Sequence, residues 1–387
     1  MNFDLTDEQR AVRDVCREFA QNEVVPKAAH YDETAEFPYD LVAGMARLGL
    51  FALPFPESAG GAGGDFVSYC LAMEEIARAD AALAITLEAA VSLGITPFVH
   101  FGTPEQQEKH LPQLLSGERL WAFGLTEPEA GSDAGGTQSR AVRQGDEWVI
   151  NGRKAFITNA GTDISAGVTM TAVTGTAPDG SKEITAFAVE RGTPGYTQAP
   201  KYRKLGWHAS DTRELLFDDV HVPQCNVVGQ VGEGLRQFLQ ILEGGRVAIA
   251  ALAVGVAQAC LDASLQYSAQ RRQFGQPIGR FQATQFKLAD MATQIELARL
   301  ITMKAATAID RTGSAGVYAS MAKLHASEVA TACANQAVQI HGGYGFIEES
   351  PVARYYRDVK INEIGEGTSE VQRILIARSL LRPLGVE

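Results

Sequence analysis

A carboxylate sits between two glycines in the stretch I-N-E-I-G-E-G-T-S-E-V-Q-R-I-L-I-A-R, residues 361–378, where Glu366 lies between Gly365 and Gly367. Glycine on each side frees the backbone and lets other backbone or a flat ligand come close. Ser369 and Gln372 have the spacing of a capping box, which predicts a helix starting there. Ile374, Leu375 and Ile376 then begin an apolar run. The helix leaves the position of Glu366 unexplained. A solvated loop carboxylate is the plain alternative, and a general base the chemical one.

Three further segments carry groups that could hold a ligand. In W-A-F-G-L-T-E-P-E-A-G-S-D, residues 121–133, Thr126 and Ser132 offer hydroxyls, and Gly131 exposes backbone N–H groups suited to a phosphate. In R-R-Q-F-G, residues 271–275, Arg271 and Phe274 could hold a phosphate and a flat ring, or could simply end a helix. Gln339 to Phe346 carries Gly342, Gly343 and Gly345, which read equally as a helix C-terminus and turn.

Three kinds of element must position these groups. Residues 1–118 read as helical: Thr6 and Gln9 make a capping box ahead of Val12, Val15, Cys16 and Phe19 at helical spacing. Tyr39 to Leu48 is a short helix closed by Gly49, and Thr103-Pro104-Glu105-Gln106 opens another. Over residues 119–228 the period changes to two. Asn151-Gly152-Arg153 predicts a hairpin between residues 147–150 and 154–158, with further strands at 168–174, 184–189 and 214–217. From 229 to 387 helical patterns return, at 246–266, 282–309 and 317–340. The expected fold is α+β: an N-terminal helical domain, a middle β domain and a C-terminal helical bundle, with function at their junction.

Composition narrows the classes. The 387 residues are 45% hydrophobic and 21% charged, as in an ordinary globular protein. A net charge of −12 argues against a nucleic-acid surface. The five cysteines are widely spaced and form no C-x-x-C pair, which suits reduced thiols. The acidic start M-N-F-D-L-T-D-E-Q-R is not that of a signal or transit peptide. The longest unbroken apolar stretch, Val247 to Ala257, is 11 residues, short of the about 18 that a membrane span needs. A cytoplasmic protein without a membrane span is expected. There is no G-x-G-x-x-G after a strand, no P-loop, no H-E-x-x-H and no G-x-S-x-G, and the seven histidines are too scattered for a metal site.

Taken together and in order, L-T-E-P-E-A-G-S-D (125–133), N-G-R-K-A-F-I-T-N (151–159), S-D-T-R-E-L-L-F-D-D-V-H-V-P (210–223), R-R-Q-F-G-Q-P-I (271–278), Q-I-H-G-G-Y-G-F (339–346) and E-G-T-S-E (366–370) resemble the acyl-CoA dehydrogenase family over essentially the whole chain. The resemblance implies oxidation of an acyl-CoA to the trans-2-enoyl-CoA with bound FAD. Glu366 matches the family's base, which takes the α-proton while the β-hydride goes to flavin N5. Phe123, Leu125 and Thr126 match positions lining the flavin ring, and Ser132 a hydroxyl near pyrophosphate and substrate. Phe156 and Thr158 match the aromatic and hydroxyl beside the flavin; the family more often has Trp where Phe156 stands. Arg271, Phe274, Gln282, Gln339 and Gly343 match residues that hold the ADP half of FAD across a subunit interface, which implies a homotetramer. Thr368 and Glu370 match further FAD contacts. Glu243, Arg246, Gly367 and Arg378 match substrate-side positions. Electron-transfer flavoprotein is the implied acceptor.

Two departures bear on specificity. Some branches of the family carry their base at the position of Gly245, where glycine cannot serve. Gly365 stands where many straight-chain members have tyrosine, which leaves room near the α and β carbons and implies a short or branched short acyl chain. The rival readings are a same-fold oxidase, a non-CoA substrate and, from another class, a relative that binds nucleic acid through an added basic C-terminal region. The charge of −12 disfavours the last.

Overall fold

The computed structural model describes residues 4–385. Its first part is helical: α1 (Asp7–Phe19), α2 (Val25–Thr34), α3 (Tyr39–Arg47), α4 (Phe66–Ala79), α5 (Ala81–Glu88), α6 (Thr96–Phe101) and α7 (Pro104–Leu115). The capping box predicted at Thr6/Gln9 forms on α1, and Thr103 and Gln106 form one on α7. A π-helical turn, Ala89–Ile95, joins α5 to α6. Such turns insert one residue into a helix and recur at functional sites, because they re-aim the side chains on either side.

The middle part is an eight-stranded mixed sheet: β1 (Leu120–Gly124), β2 (Arg140–Gln144), β3 (Glu147–Thr158), β4 (Ser165–Thr176), β5 (Lys182–Glu190), β6 (Tyr196–Gln198), β7 (Thr212–Pro223) and β8 (Val227–Val228). The strands run β6-β7-β3-β2-β4-β5-β8, with β1 parallel to β4. The hairpin predicted at Asn151-Gly152 does not exist. Residues 147–158 form one strand whose two halves both pair with β7, and the turn into it lies earlier, at Gly145-Asp146. Asn151-Gly152 is a bulge in that pairing. The Asn151 side-chain amide donates to Asp219 Oδ1 and its oxygen accepts from the Asp219 N–H, both at 2.9 Å, so a side chain takes over the ladder where the register slips.

The last part comprises α8 (Gly234–Gln270), a small hairpin of β9 (Arg272–Gln273) and β10 (Gln276–Pro277), then α9 (Gln282–Thr312), α10 (Val317–His341), α11 (Pro351–Asp358) and α12 (Ser369–Leu381). Alanine and glycine along α8 (Ala248, Ala250, Ala251, Ala253, Gly255, Ala257) let α4 and α10 pack close. One apolar core runs through both helical parts, and a second lies within the sheet.

Two helical stretches, Ala81–Phe101 and Gly234–Gln270, are long and apolar enough to cross a membrane by length and composition. The 11-residue run therefore understated the second of them, since isolated polar residues barely lower its mean hydropathy. In the folded chain 83% of each apolar window is buried, so packing inside the molecule accounts for the hydropathy.

Candidate active site

The loop that carries Glu366 leaves a 3₁₀ turn at Val359–Glu363 and enters α12. Glu366 takes a left-handed backbone conformation, φ 53°, and Gly367 follows at φ 93°. A non-glycine residue holds such a conformation only where its surroundings impose it. Thr368, not Ser369, is the N-cap: its Oγ1 accepts from Val371 N–H at 3.3 Å. Thr368 has the extended ψ of 164° that capping requires, whereas Ser369 is already the first helical residue. Gln372 is freed from the predicted box and donates instead to the carbonyls of Glu366 (3.2 Å) and Gly367 (2.9 Å). Lys323 of α10, fully buried, also donates to Gly367 O, at 2.8 Å.

As a residue Glu366 is half-buried, but both carboxylate oxygens are shielded from solvent; no N–H or hydroxyl donor among the described residues reaches them, and the neighbouring Glu88 carboxyl, when protonated, is the group that can donate to them. Gly245 of α8 faces them. A Cβ there would lie 2.4 Å from Glu366 Oε2, so positions 245 and 366 compete for one volume. Arg246, beside it, has an unpartnered buried Nε. Behind stands Glu88, at the end of α5, with both oxygens buried and unpartnered, and Tyr69, whose hydroxyl lies 3.3 Å from Ser92 Oγ. Burial pushes the Glu366 carboxyl up to about 7, against the pull of the neutral Glu88 carboxyl, Lys323 and Arg246. Burial and the nearby Glu366 charge raise Glu88 well above the usual carboxylate range, which makes it the member of the pair that holds its proton the more firmly.

The sheet residues that the resemblance sets beside a flavin are held by another buried carboxylate, Glu127. Lys154 Nζ donates to Glu127 Oε1 (2.7 Å), Leu125 O, Thr137 Oγ1 and Thr171 Oγ1 (3.2 Å each). Ala155 N–H donates to Thr126 O at 2.8 Å. These bonds tie residues 125–127 to 154–155 and explain why the two motifs occur together. Phe123 stacks on Phe238, ring centroids 3.9 Å apart, while Leu125, Thr126 and Thr158 are half-buried. Phe156 (φ 61°) stands 66% exposed, and Gly131 and Ser132 lie open.

The remaining predicted residues do not all converge. Gly367 and Arg246 join Glu366. Glu243 is engaged elsewhere: its Oε1 accepts from Ser314 Oγ, Ala315 N–H and Gly316 N–H at 2.6–2.9 Å. Arg271 lies over the Tyr344 ring (5.7 Å), in a cavity of about 560 Å³ that Gly343 also lines. Phe274 is 92% exposed, and Gln282, Gln339, Glu370 and Arg378 are exposed too. Sequence reasoning missed Glu88, Lys323 and the role of Gln372. Glu88 is the lone charge in A-A-L-A-I-T-L-E-A-A-V-S-L-G-I, and Lys323 lies on the same buried stripe as Ala319, Ala322 and Ala326. A charge inside an apolar face is the signal that was available for both.

Comparison with known proteins decides what this arrangement belongs to. Residues 6–118, 122–220 and 232–381 match, in turn, the N-terminal, middle and C-terminal domains of acyl-CoA dehydrogenase. The chain belongs to the acyl-CoA dehydrogenase family. It is an oxidoreductase acting on CH–CH bonds. It is 53% identical to the probable acyl-CoA dehydrogenase YngJ of Bacillus subtilis over 99% of this chain and all of that one. Butyryl-CoA dehydrogenase from Megasphaera elsdenii superposes with a TM-score of 0.95 at 44% identity, over 99% of this chain and 100% of that one. A glutaryl-CoA dehydrogenase from Mycobacterium smegmatis, solved with FADH2, does so at 0.92 and 30%, over 97% and 95%.

Acyl-CoA dehydrogenases are flavoproteins, and the residues here fit FAD. The cavity at Arg271 and Gly343 supplies a cation, and a Cβ at Gly343 would meet nothing within 4 Å, so backbone can approach a ligand there. The N-terminus of the 13-residue α12 presents first-turn N–H groups beside Thr368.

Proposed function

We propose that this chain converts a short or branched short acyl-CoA to its trans-2-enoyl-CoA with Glu366 as the base. The observation that carries this reading is the Glu366 carboxylate itself, shielded, without an N–H or hydroxyl donor and raised to about 7 on a loop held by Gln372 and Lys323. A base working at neutral pH needs a proton affinity near that pH, and an unpaired buried carboxylate has it. Glu366 takes the α-proton; the Cα–H electron pair becomes the new Cα=Cβ bond as the β-hydride departs. FAD, when bound, accepts that hydride. The Glu366 backbone N–H serves as an oxyanion donor to the thioester oxygen, lowering the cost of the enolate-like charge. Phe123, Leu125, Thr126, Phe156 and Thr158 orient the flavin ring. Arg271, Phe274, Gln282, Gln339, Gly343, Thr368 and Glu370 hold the rest of the cofactor, and Ser132, Arg246, Gly367 and Arg378 face the substrate. Glu243 acts on the substrate only through the loop that it braces.

The preference for a short or branched chain rests on Gly365, where a Cβ would meet only Ile361 O, at 3.5 Å. A Gly365→Tyr variant should lose rate on branched substrates and keep it on straight ones. A homotetramer is supported by the exposure of apolar groups beside the cofactor residues: Phe274 (92%), Phe346 (86%) and Phe286 (63%). Electron-transfer flavoprotein is the proposed acceptor and the cytoplasm the proposed location, the latter supported by five free thiols. The deciding experiment is an anaerobic titration of the flavin-loaded protein with butyryl-, isobutyryl- and octanoyl-CoA, followed by flavin absorbance. Bleaching by a four-carbon thioester ahead of the octanoyl one supports the proposal. A flavin that no thioester bleaches overturns it.

A further inference from the structure

Two buried side chains from different helices converge on the carbonyls that flank the base. Lys323 Nζ donates to Gly367 O at 2.8 Å; Gln372 Nε2 donates to Gly367 O at 2.9 Å and to Glu366 O at 3.2 Å. Both residues are fully buried. We propose that Lys323, together with Gln372, is a positioning residue for the base: the pair clamps the Glu366 and Gly367 carbonyls, keeps Glu366 in its left-handed conformation and so aims its carboxylate into the dry pocket opposite Gly245. This rests on the reading of Glu366 as the α-proton base.

The geometry gives the clamp its reason. Carbonyls just ahead of a helix have no intrahelical partner to fix them, and a left-handed glutamate is not self-sustaining. Three donor contacts onto two successive carbonyls over-determine the turn. A buried lysine whose only role was to fill space would be poorly chosen, because burial penalises its charge. The charged groups that face Lys323 are Glu366 on the loop, Arg246 on α8, Glu363 on the preceding turn and Glu370 on α12. Burial lowers Lys323 to about 8, with these acids working the other way, and it stays largely charged at neutral pH. A cation there favours the ionised form of Glu366, the form that can take a proton.

The test separates proton removal from hydride transfer. A 3-thia analogue of butyryl-CoA has sulfur in place of the β-carbon, so it can lose an α-proton but has no β-hydride to give. Its enolate beside oxidised flavin absorbs at long wavelength, and the band can be titrated with pH. In flavin-loaded Lys323→Met, we expect flavin content to match the unsubstituted enzyme and the midpoint of the band to rise by about one pH unit. On butyryl-CoA, kcat should fall about 30-fold or more while KM changes less than about 3-fold, because the loss is in the transition state. Lys323→Gln, which keeps a donor without the charge, should recover part of kcat and none of the midpoint shift. Unchanged kcat and midpoint in Lys323→Met overturn the proposal, as does a loss of flavin that accounts for all the lost rate. If Lys323→Met does not fold, Gln372→Leu removes two of the three contacts and no charge. It should lower kcat about 10-fold with the midpoint unmoved, and an unchanged kcat overturns the clamp. Absence of the band in the unsubstituted enzyme would instead overturn the role of Glu366 on which this inference rests.

Discussion

Glu127 and Glu366 are both glutamates with shielded carboxylates, 239 residues apart in one chain, and they end in opposite states. Glu127 meets Lys154 at 2.7 Å, accepts the Gln138 and Ser139 N–H groups and takes a hydrogen bond from Thr137. Burial raises its carboxyl, but Lys154 and these donors outweigh burial and bring it down to about 2. Glu366 receives no N–H or hydroxyl donor on either oxygen, and burial prevails over Glu88, Lys323 and Arg246, up to about 7. Burial raises both carboxyls, and the Lys154 charge and the donors supplied to Glu127 set the two apart. The first arrangement makes an inert strut that fixes Leu125 and Thr126. The second leaves a carboxylate with little of its hydrogen-bonding capacity spent, as the base proposed here requires.

The largest break in this contrast comes from Glu366→Gln. General-base contributions of about 10²–10⁴ imply a fall in kcat of that size, with flavin still bound. Stability should move the other way. The Glu366 carboxyl, ordinarily near 4.5, is raised in the folded chain, so the folded state holds a proton that the unfolded one releases between pH 4.5 and about 7. Stability then falls as pH rises through that window. Removing the carboxylate should stabilise the protein above pH 7 by up to about 3 kcal/mol, and denaturant titrations at pH 5 and pH 8 check it. Equal stability changes at both pH values would mean that Glu366 is not raised. In the unsubstituted enzyme kcat/KM should rise with pH along a limb centred near 7, and Glu366→Gln should lose that limb.

Lys154→Met breaks the other half. It leaves Glu127 charged, buried and without its cation, which should cost about 3–5 kcal/mol in a thermal or denaturant melt. Replacing both partners, Lys154→Met with Glu127→Leu, should cost much less, because no charge is left stranded. If the single and double variants are equally destabilised, the hydrogen bonds of Lys154 to Leu125, Thr137 and Thr171 rather than the ion pair hold the loop.

The contrast also explains what could be read before the fold was known. Capped helices at Thr6 and Thr103 follow local rules, because the partners lie three residues apart. Asn151-Gly152 obeys the same rules and still forms a bulge, because β7 offers both flanks a longer partner than they offer each other. Likewise Thr368 displaced Ser369 as the cap by one residue, which turned Gln372 inward to the base loop. Glu366 was legible through its glycines and its resemblance to a known base. Glu88 and Lys323 were not, since their meaning arises from α5, α8, α10 and the loop meeting in space.

Gly245→Ala sharpens the contrast at the scale of one methyl group. The added Cβ would lie 2.4 Å from Glu366 Oε2, so the carboxylate must shift. Alanine in a helix interior favours the helix by about 1 kcal/mol over glycine. The expected outcome is a melting temperature unchanged or raised, with kcat lowered about 10- to 100-fold through misplacement of the base. Loss of stability with kcat retained would show that the carboxylate already has another position available.

The smallest effect concerns Glu88, and it tests which member of the buried pair carries charge. The two carboxyls face one cavity, and both ionising there would add repulsion to desolvation, so one proton stays. Glu88 is raised well above the ordinary range and Glu366 only to about 7, because Glu366 accepts a hydrogen bond from Glu88 and has Lys323 and Arg246 beside it. Glu88 is then the neutral member throughout the working pH range. Replacing it with glutamine exchanges one neutral hydrogen-bonding group for another of the same shape. The acidic limb of kcat/KM should stay within about 0.3 pH unit of its original position. Had Glu88 been ionised, Glu88→Gln would remove a like charge and drop the limb by about one unit or more. A limb that falls would thus exchange the roles of the pair and make Glu88 the charge that raises the base, with burial second.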